Sequence, residues 1–310
     1  MRFFIHAALF RLELLCRRAA RLAHSAPIFI IGAPRSGTSL LYEMMITRFH
    51  FAYISNLAHR FYFTPLAASV LGKAPIGKWT GQFTSRFGHI AGWGAPNEGG
   101  WVWRRWLQDG DWRGDIICSK ADARGLRLLT DGLSTIFTAP FLNKNVMHSN
   151  RLKLMRHIWP EALFIHVTRD VTDNVRSIVR AERKEGGPAH DGDHWWSVRP
   201  AIAPAYIGQS DVTRATAQVI GIEQDIMRDM QEIGARHIFS IDYADLCRDP
   251  HGTIAAIEAF LKDRAIPLRC KNSIPTKFSP PLSKPLDADD EAKIIATCHE
   301  ARATALAHRF

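Results

Sequence analysis

The sequence predicts an α/β fold in which a central parallel sheet lies between layers of helices, three layers in all, with loop-rich insertions. Strand patterns at residues 27–32, 162–168 and 237–242 are each followed by helical spacing of apolar residues, which is typical of a parallel sheet with right-handed crossovers. The chain has 310 residues, of which 46% are hydrophobic and 23% charged, enough to bury one substantial core. Short apolar runs at 51–54 and 141–146 are candidates for further strands, and the strand order stays open.

The first strand leads into a glycine-rich turn and then directly into a helix, within residues 27–39. The spacing Gly32-x4-Gly37 lets an anion approach main-chain N–H groups at a helix N-terminus, which are unpaired and carry the positive end of the helix dipole. This P-loop-like turn predicts a nucleotide phosphate as ligand. The ATP- and GTP-binding version has a lysine after the second glycine. Thr38 stands there instead, and Arg35 is the only cation inside the turn, which argues against an ordinary ATPase.

The turn resembles a loop known from one enzyme family. Its residues are Pro34, Arg35, Ser36, Gly37, Thr38 and Ser39. Sulfotransferases that use 3′-phosphoadenosine 5′-phosphosulfate (PAPS) bind the 5′-phosphosulfate with a loop written Pro-[Lys/Arg]-Ser-Gly-Thr-[Thr/Ser], and the chain fits this loop at every position. A tight strand-to-helix connection would explain the two glycines but not the residues around them. The resemblance implies a P-loop-like fold, PAPS as co-substrate and these residues as its 5′ contacts.

A second segment matches the same family. Residues 162–168 form a buried-strand pattern that ends at Arg169, and the following helix has Ser177 eight residues further on. In the family, an arginine and a serine with this spacing hold the 3′-phosphate, and a guanidinium suits that role because its fork donates two parallel hydrogen bonds. The structural alternative is a pairing of Arg169 with Asp170 or Asp173 at the helix start.

Three weaker matches accompany these two. Residues 143–145, with the helix and the segment 160–162 that follow, are similar to the family's run into its 3′-phosphate strand. Tyr243 stands where a tyrosine lines the nucleotide site in relatives. Ser283 and Lys284 resemble a late loop that closes on the co-substrate. Taken singly, each match is equally explained by a strand, a turn or a solvated lysine.

The resemblance implies the chemistry of sulfuryl transfer, which should follow a loose in-line displacement like that of phosphoryl transfer. Negative charge then grows on the leaving bridging oxygen, and cations and N–H groups must stabilise it. We expect Arg35 and Thr38, with the amides of the turn, to do so. Lys144 is a second candidate cation.

An acceptor hydroxyl also needs a general base within hydrogen-bonding distance. Relatives use glutamate or histidine. Glu98, in a loop between tryptophans, is the first candidate here. The alternative is that Glu98 is an ordinary loop carboxylate. The other candidates for the base are His59, His89 and His194.

Two stretches interrupt the α/β pattern, residues 60–115 and 186–215, and both are rich in glycine and tryptophan. Long loops on such a scaffold usually form lids or substrate sites, so we assign both to the acceptor pocket. The alternative is that their tryptophans form a satellite core. Tryptophan faces suit a carbohydrate, a lipid or another small molecule equally well, which leaves the acceptor class open.

Composition limits the other function classes. The formal net charge is +10 and the pI near 9.6, which suits small anions, a membrane surface or nucleic acid. No nucleic-acid motif is present, so no nucleic-acid partner is expected. The five cysteines are widely spaced and none forms a Cys-x2-Cys pair, which predicts reduced thiols and no metal. Oligomeric state cannot be read from the sequence.

The N-terminus, residues 1–24, predicts an amphipathic helix ahead of a single domain over residues 25–310. Its apolar run is interrupted by Arg2, Arg11 and Glu13 and is too short and too charged to span a bilayer. Two placements are open: contact with an anionic membrane through residues 1–21, and packing on the edge of the domain, which is the simpler reading. The absence of a signal-anchor pattern leads us to expect a cytoplasmic protein.

Two other functions remain open at this point. A nucleotide kinase with a degenerate P-loop would bind ATP with magnesium and would not need Arg169, but Thr38 replaces the lysine of kinase chemistry. A basic, non-catalytic protein at the membrane periphery would bind vesicles through residues 1–21 and turn over no acceptor.

Overall fold

The centre of the molecule is a parallel sheet of four strands with the order β2-β1-β3-β4. A computed structural model describes residues 2–20, 26–83, 90–107, 118–184, 195, 197–279 and 284–307. The strands are β1 (Ile28–Ile31), β2 (Leu142–Lys144), β3 (Leu163–Thr168) and β4 (Ile238–Asp242). Strand β1 is central, and its Ile31 lies opposite His166 of β3 while its Ile30 lies opposite Lys144 of β2.

Helices cover the sheet on either side of these strands. They are α1 (Arg2–Ala20), α2 (Thr38–Arg48), α3 (Asn56–Arg60), α4 (Pro65–Leu71), α5 (Lys73–Gly77), α6 (Gly100–Trp103), α7 (Lys120–Phe137), α8 (Leu152–Ile158), α9 (Val171–Lys184), α10 (Asp211–Ile233), α11 (Tyr243–Arg248), α12 (Pro250–Lys262) and α13 (Ala288–Ala307). Short 3-10 helices occupy Val146–Asn150, Ala203–Tyr206 and Ala235–His237. Helix α2 packs on β1 and β2, α12 packs on β4, and α10 contacts α8, α9 and α13.

The burial of the strands explains their composition. Every residue of β1, and all but the last of β3, is buried, which suits the continuous apolar runs of strands covered on both faces, whereas the buried β2 contains the polar Asn143 and Lys144. Strand β4, at the edge, is less uniformly buried. The aromatic rings of Phe29, Phe141, Phe164 and Trp159 meet in the core next to β1. The main core therefore lies under the strand that leads into the glycine-rich turn.

The apolar run at 51–54 is not a strand of this sheet. Only Ala52 pairs there, as an isolated parallel bridge to Phe141. The run ends because the next residue, Ser55, caps α3 by accepting a hydrogen bond from Ala58 N at 3.1 Å. The run at 141–146 likewise gives only the short β2, since Asn145 caps the following 3-10 helix.

The insertion at 60–115 is more helical than its glycine content predicts. Its described part contains α4, α5 and α6, and α4 begins with Pro65 at its first turn, a favoured position. Trp103 is buried in the main core, whereas Trp93 and Trp101 are exposed. The tryptophans of this insertion therefore divide between core and surface.

A satellite core does form in the second insertion. Trp195 and Tyr206 pack with Ala203 and with Ala217 of α10, apart from the main cluster. The alternative that the tryptophans of the insertions form a satellite core therefore holds for Trp195.

Helix α1 packs on the edge of the domain, against α4 and α7. Its Glu13 is almost fully buried, pairs with Arg17 at 3.1 Å, and accepts hydrogen bonds from Leu66 N at 2.8 Å and Ala67 N at 3.0 Å. A carboxylate at these first amides of α4 is favourable because helix N-termini carry unpaired N–H groups. Among the helices described, none is both long enough and apolar enough to cross a bilayer.

Candidate active site

The glycine-rich turn connects β1 to α2 and adopts backbone conformations that few residues tolerate. Gly37 has φ 102°, and a Cβ there would lie 2.1 Å from Cδ2 of Tyr243. Gly32 has φ 150°, and a Cβ there would lie 2.5 Å from the backbone oxygen of Val167 in β3. Both glycines are therefore required by a close approach as well as by conformation. Arg35, between them, also has a positive φ of 67°, an uncommon conformation for a residue with a side chain.

Residues from two other elements hold the turn. Ser149 Oγ accepts a hydrogen bond from Gly32 N at 3.0 Å and donates to Gly32 O at 2.9 Å. Asn174, buried on α9, is best assigned with its amide nitrogen toward the turn, where it donates to Pro34 O at 2.8 Å and Arg35 O at 3.2 Å. These contacts fix the carbonyl groups of Gly32, Pro34 and Arg35.

Arg169 lies against the turn, as the two-segment hypothesis requires. Its Nη1 donates to the backbone oxygen of Arg35 at 2.8 Å, and its guanidinium lies 4.8 Å from the ring centre of Tyr243. Arg35 Nε in turn donates to Ser177 Oγ at 3.2 Å. Asp170 accepts a hydrogen bond from Asp173 N at 2.9 Å, which begins α9 and leaves Arg169 directed at the turn. The structure thus brings together Arg35, Gly37, Arg169, Ser177 and Tyr243.

The electrostatics of this cluster favour an anion. Burial lowers the pKa of the Arg35 guanidinium, and the nearby positive charge of Arg169 lowers it further. Burial also raises the pKa of Tyr243 to about 12, with Cys247 as a second cause, so its phenol stays neutral. Two neighbouring guanidinium groups repel each other, and a bound anion would relieve that repulsion.

The turn also contains an unsatisfied polar atom. Ser36 is fully buried, and within the described residues its Oγ has no hydrogen-bond partner. Such atoms are rare in native interiors and often indicate a ligand or water site. The N-cap residue of α2 is Gly37, which has no side chain to cap the helix, while the next residue Thr38 is buried and Ser39 is half-buried. These residues fit a phosphate-like ligand at the helix N-terminus.

A second cluster surrounds Glu98. Its Oε1 forms an ion pair with Nζ of Lys144, whose side chain is almost fully buried at the end of β2. The backbone oxygen of Glu98 accepts hydrogen bonds from Trp103 Nε1 at 2.9 Å and from Asn145 Nδ2 at 3.3 Å. The next residue, Gly99, has a positive φ of 77°, a backbone conformation that glycine adopts without strain. The loop carboxylate is therefore tightly positioned, with about a third of its side chain exposed.

The two clusters share one edge of the sheet. Lys144 lies opposite Ile30 in the register of β1 and β2, two residues before Gly32. The carboxyl end of a parallel sheet is where ligands bind in open α/β folds. The Glu98 cluster and the turn therefore face the same space beyond the strand ends.

The structure does not bring every predicted residue to this place. Ser283, His89 and His194 lie outside the described residues. His59 is half-buried on α3. Lys284 is exposed, and across the described part of the chain no contact joins it to the turn, although Arg180, one turn after Ser177, donates to Pro285 O at 3.4 Å.

Asn174 and Ser149 were not predicted. Asn174 lies with Val175, Ile178 and Val179 on the buried side of α9. A polar residue on an otherwise apolar helix face is the sequence feature that could have indicated its role. Ser149 gave none, because its contact with Gly32 spans 117 positions of sequence.

No metal site is evident in the parts of the chain described. There, no group of three or more His, Cys, Asp or Glu side chains is arranged to hold an ion. The expectation that the protein needs no metal stays a prediction.

Comparison with known proteins gives one family. A model of the sulfotransferase family matches residues 103–264, just over half of the chain. The matched segment contains Lys144, Arg169, Ser177 and Tyr243, while the glycine-rich turn precedes it. No curated protein matches the chain.

Solved structures resemble the whole chain at low identity. A sulfotransferase from Mycobacterium tuberculosis H37Rv is 16% identical with a TM-score of 0.53, over 93% of this chain and 76% of that one. A sulfotransferase from Mycobacterium avium is 15% identical, with a TM-score of 0.49 over 91% and 70%. One from Alicyclobacillus acidocaldarius is 14% identical, with a TM-score of 0.48 over 92% and 95%. The first likeness confirms the predicted α/β fold with a parallel sheet flanked by helices.

Proposed function

The chain belongs to the sulfotransferase family, and on that premise we propose that it transfers a sulfuryl group from PAPS to a hydroxyl group of a carbohydrate, lipid or small-molecule acceptor. The observation that carries the proposal is the contact of Arg169 with the turn, through Arg35 O and the ring of Tyr243. A donor with phosphates at both its 5′ and 3′ ends needs a cation for each end, and Arg169 brings a second guanidinium to the turn. A mononucleotide or ATP site needs only the turn.

The donor end rests on the residues of the turn. We assign the 5′-phosphosulfate to Pro34 and to the other five residues of the motif: Arg35, Ser36, Gly37, Thr38 and Ser39. The unsatisfied Ser36 Oγ and the uncapped start of α2 support this assignment. The 3′-phosphate falls to Arg169 and Ser177, and Tyr243 supplies an aromatic face for the adenosine.

The transfer step needs a proton acceptor and a cation near the sulfur. As the acceptor oxygen bonds to sulfur, the bond from sulfur to the 5′-phosphate oxygen breaks and leaves its electron pair on that oxygen. Arg35 and Lys144 stabilise this growing charge. Glu98 takes the acceptor proton, and its ion pair with Lys144 holds the carboxylate in place.

The acceptor site is assigned to the surroundings of Glu98. Trp101, exposed three residues later, and the exposed Trp93 offer aromatic faces at the same loop. These faces suit a sugar ring or an acyl chain, so the proposed acceptor remains a carbohydrate, a lipid or another small molecule. A cytoplasmic location also stays a prediction.

A transfer assay tests the function directly. The purified protein is incubated with PAPS and fractionated metabolite and lipid extracts, and products are examined by mass spectrometry. We expect at least one hydroxylated compound to gain about 80 Da, the increment of sulfuryl transfer to a nucleophile. Lys144→Ala should abolish that gain. If no compound gains this mass while the protein still binds 3′-phosphoadenosine 5′-phosphate, the transferase assignment is wrong and only the binding assignment survives.

A further inference from the structure

One side of α1 remains uncovered. Burial of Glu13 and Ala20 turns one side of this helix toward α4 and α7. On the opposite side, Phe10 and Leu15 leave more than half of their surface exposed, and Leu14 is 44% exposed. Large apolar side chains grouped on one helix face indicate an interaction site more strongly than single exposed ones do.

Arginines lie among these apolar residues. Arg11 and Arg18 are exposed and fall within the same arc of the helix as Phe10, Leu14 and Leu15, because residues three, four and seven apart share a face. The exposed face is thus both apolar and positively charged. Glu13, the acidic residue among the described residues of α1, is buried on the other side.

A chain of aromatic and arginine side chains links α1 to the exposed Phe63. Arg17 lies 5.7 Å from the ring centre of Trp106, and Arg105 lies 4.4 Å from Trp106 and 5.8 Å from Phe63. Phe63 is 64% exposed.

From Phe63 the contacts reach the loop that carries Glu98. The ring of Phe63 is 4.3 Å from Tyr62, which is 6.1 Å from the exposed Trp101. Arg104 covers Trp101 at 4.6 Å. We call Phe10, Leu14, Leu15, Phe63 and Trp101, with Arg11, Arg18 and Arg104, the docking face.

We propose that the docking face binds the surface of an anionic membrane. Apolar residues that enter the headgroup region and arginines that contact acidic lipids are the two contributions of interfacial helices. Long arginine side chains suit this position because their stems bury while their charges reach the headgroups.

Charge selects the lipid surface over other occupants. A second copy of the chain would place Arg11 and Arg18 against the arginines of an identical face, and like charges repel. The whole chain, at a formal +10, also favours an acidic surface. Nucleic acid would match the charge but not the protruding Phe10, Leu15 and Phe63. The proposal does not depend on the transfer reaction, because vesicle binding needs no turnover; of these residues, Trp101 alone is also assigned to the acceptor site.

Vesicle binding tests the proposal. The full chain is sedimented with vesicles of phosphatidylcholine alone and of phosphatidylcholine with phosphatidylserine. We expect binding to the second only, weakening as salt rises because the Debye length shortens. Arg11→Gln/Arg18→Gln should weaken it roughly 30-fold, from about fivefold per arginine. Phe10→Ser/Leu14→Ser/Leu15→Ser should weaken it at least about tenfold.

Matched variants separate the docking face from general surface effects. Met227→Ser/Ile295→Ser changes two exposed apolar residues of α10 and α13, and Arg248→Gln/Lys262→Gln changes two exposed cations of α11 and α12. Both should bind vesicles within about twofold of the parent, a difference smaller than that of one arginine near the surface. Because a substitution in the docking face can also unfold the protein, the fold of each variant is checked by circular dichroism. Phe63→Ser/Trp101→Ser changes two residues of the docking face outside α1 and tests its apolar contribution independently.

Four results would overturn the proposal. They are equal binding to both kinds of vesicle, no vesicle binding at all, and docking-face variants that bind like their matched controls. The fourth is a parent protein that sediments as a dimer and becomes monomeric in Phe10→Ser/Leu14→Ser/Leu15→Ser. RNA binding that is lost in the arginine variant, without vesicle binding, would likewise assign the face to nucleic acid.

Discussion

The turn with Arg169 and the loop with Glu98 meet at one edge of the sheet but are built in different ways. The turn follows directly from β1, and Arg169 follows directly from the neighbouring β3, so the sheet itself sets their separation. Glu98 lies in an insertion and meets the edge through the side chains of Asn143, Asn145 and Lys144. The turn and Arg169 are thus continuous with neighbouring strands, whereas Glu98 meets the sheet edge from a separate loop, through side chains of β2 and of Asn145.

This difference separates binding from chemistry. Changes on the turn side should alter nucleotide affinity, whereas changes on the Glu98 side should alter the rate of transfer. The two sides should therefore respond separately to substitution.

Glu98→Gln should have the largest effect. The amide keeps the shape of the side chain and a contact with Lys144 but accepts the acceptor proton poorly, so we expect kcat to fall about 10²- to 10⁴-fold. The affinity for 3′-phosphoadenosine 5′-phosphate should stay within about twofold, since removing a positioned base leaves binding intact. Glu258→Gln, a surface carboxylate paired with Lys262, is the control. A kcat within about tenfold of the parent would contradict a proton-transfer role.

Gly37→Ala should damage the turn side. The new methyl group meets the Tyr243 ring at a positive φ, and we expect a loss of about 1–3 kcal/mol in the free energy of unfolding, with weaker nucleotide binding. Gly234 also has a positive φ, 86°, but no atom lies near the place of its Cβ. Gly234→Ala therefore measures the cost of backbone strain without a steric clash. Gly77→Ala has neither problem. Chemical denaturation of all three should rank Gly37 as the most costly.

A pair of asparagine variants compares the two sides directly. Asn174→Ala removes the hydrogen bonds to Pro34 O and Arg35 O and should raise the nucleotide Kd severalfold, with a stability loss of about 1–2 kcal/mol. Asn145→Ala removes the hydrogen bond to Glu98 O and should lower kcat with little change in that Kd. Calorimetry and the transfer assay measure the two effects. The same response in both variants would show that the sides are not separate.

Glu291→Gln should have the smallest effect. Glu291 of α13 accepts hydrogen bonds from Arg176 Nε at 2.9 Å and Nη2 at 2.6 Å, next to Ser177. The hydrogen bond from Arg176 lowers the pKa of Glu291 below its ordinary value of 4.5. A lowered carboxyl pKa stabilises the fold above the ordinary value, and that stability is lost as pH falls through the folded value.

The variant should therefore lose about 1 kcal/mol of unfolding free energy near neutral pH. That difference should vanish in acid, below the lowered pKa. Urea unfolding at a series of pH values measures it. A difference that persists unchanged into acid would contradict the charged contact.

The sequence was most informative where a function depends on consecutive residues. The turn combines its glycines with Arg35, Ser36 and Thr38 in one short run, and the strand before Arg169 is continuously apolar. Both segments follow strands of the same parallel sheet, and the structure shows that these two strands are neighbours. Their roles as ligands of two phosphates stay predictions.

Long-range contacts were not readable. The strand order depends on which strands pair after each crossover, and hydrophobic patterns are the same for either order. The short apolar runs ended early because Ser55 and Asn145 cap the helices after them. Glu98 depends on Asn145 and on the bend at Gly99, and the Ser149 contact with Gly32 has no local signature.

Calorimetry on Arg169 tests the central claim that two strand ends hold the two ends of one nucleotide. The parent protein should bind 3′-phosphoadenosine 5′-phosphate in the micromolar range and AMP much more weakly. Arg169→Ala should weaken the first about 10- to 100-fold, as expected for a lost charged hydrogen bond, and weaken AMP no more than severalfold through the lost contact with Arg35 O, while Arg248→Ala changes neither. Equal affinity of the parent for the two nucleotides, or an Arg169→Ala variant that binds like the parent, would contradict the account.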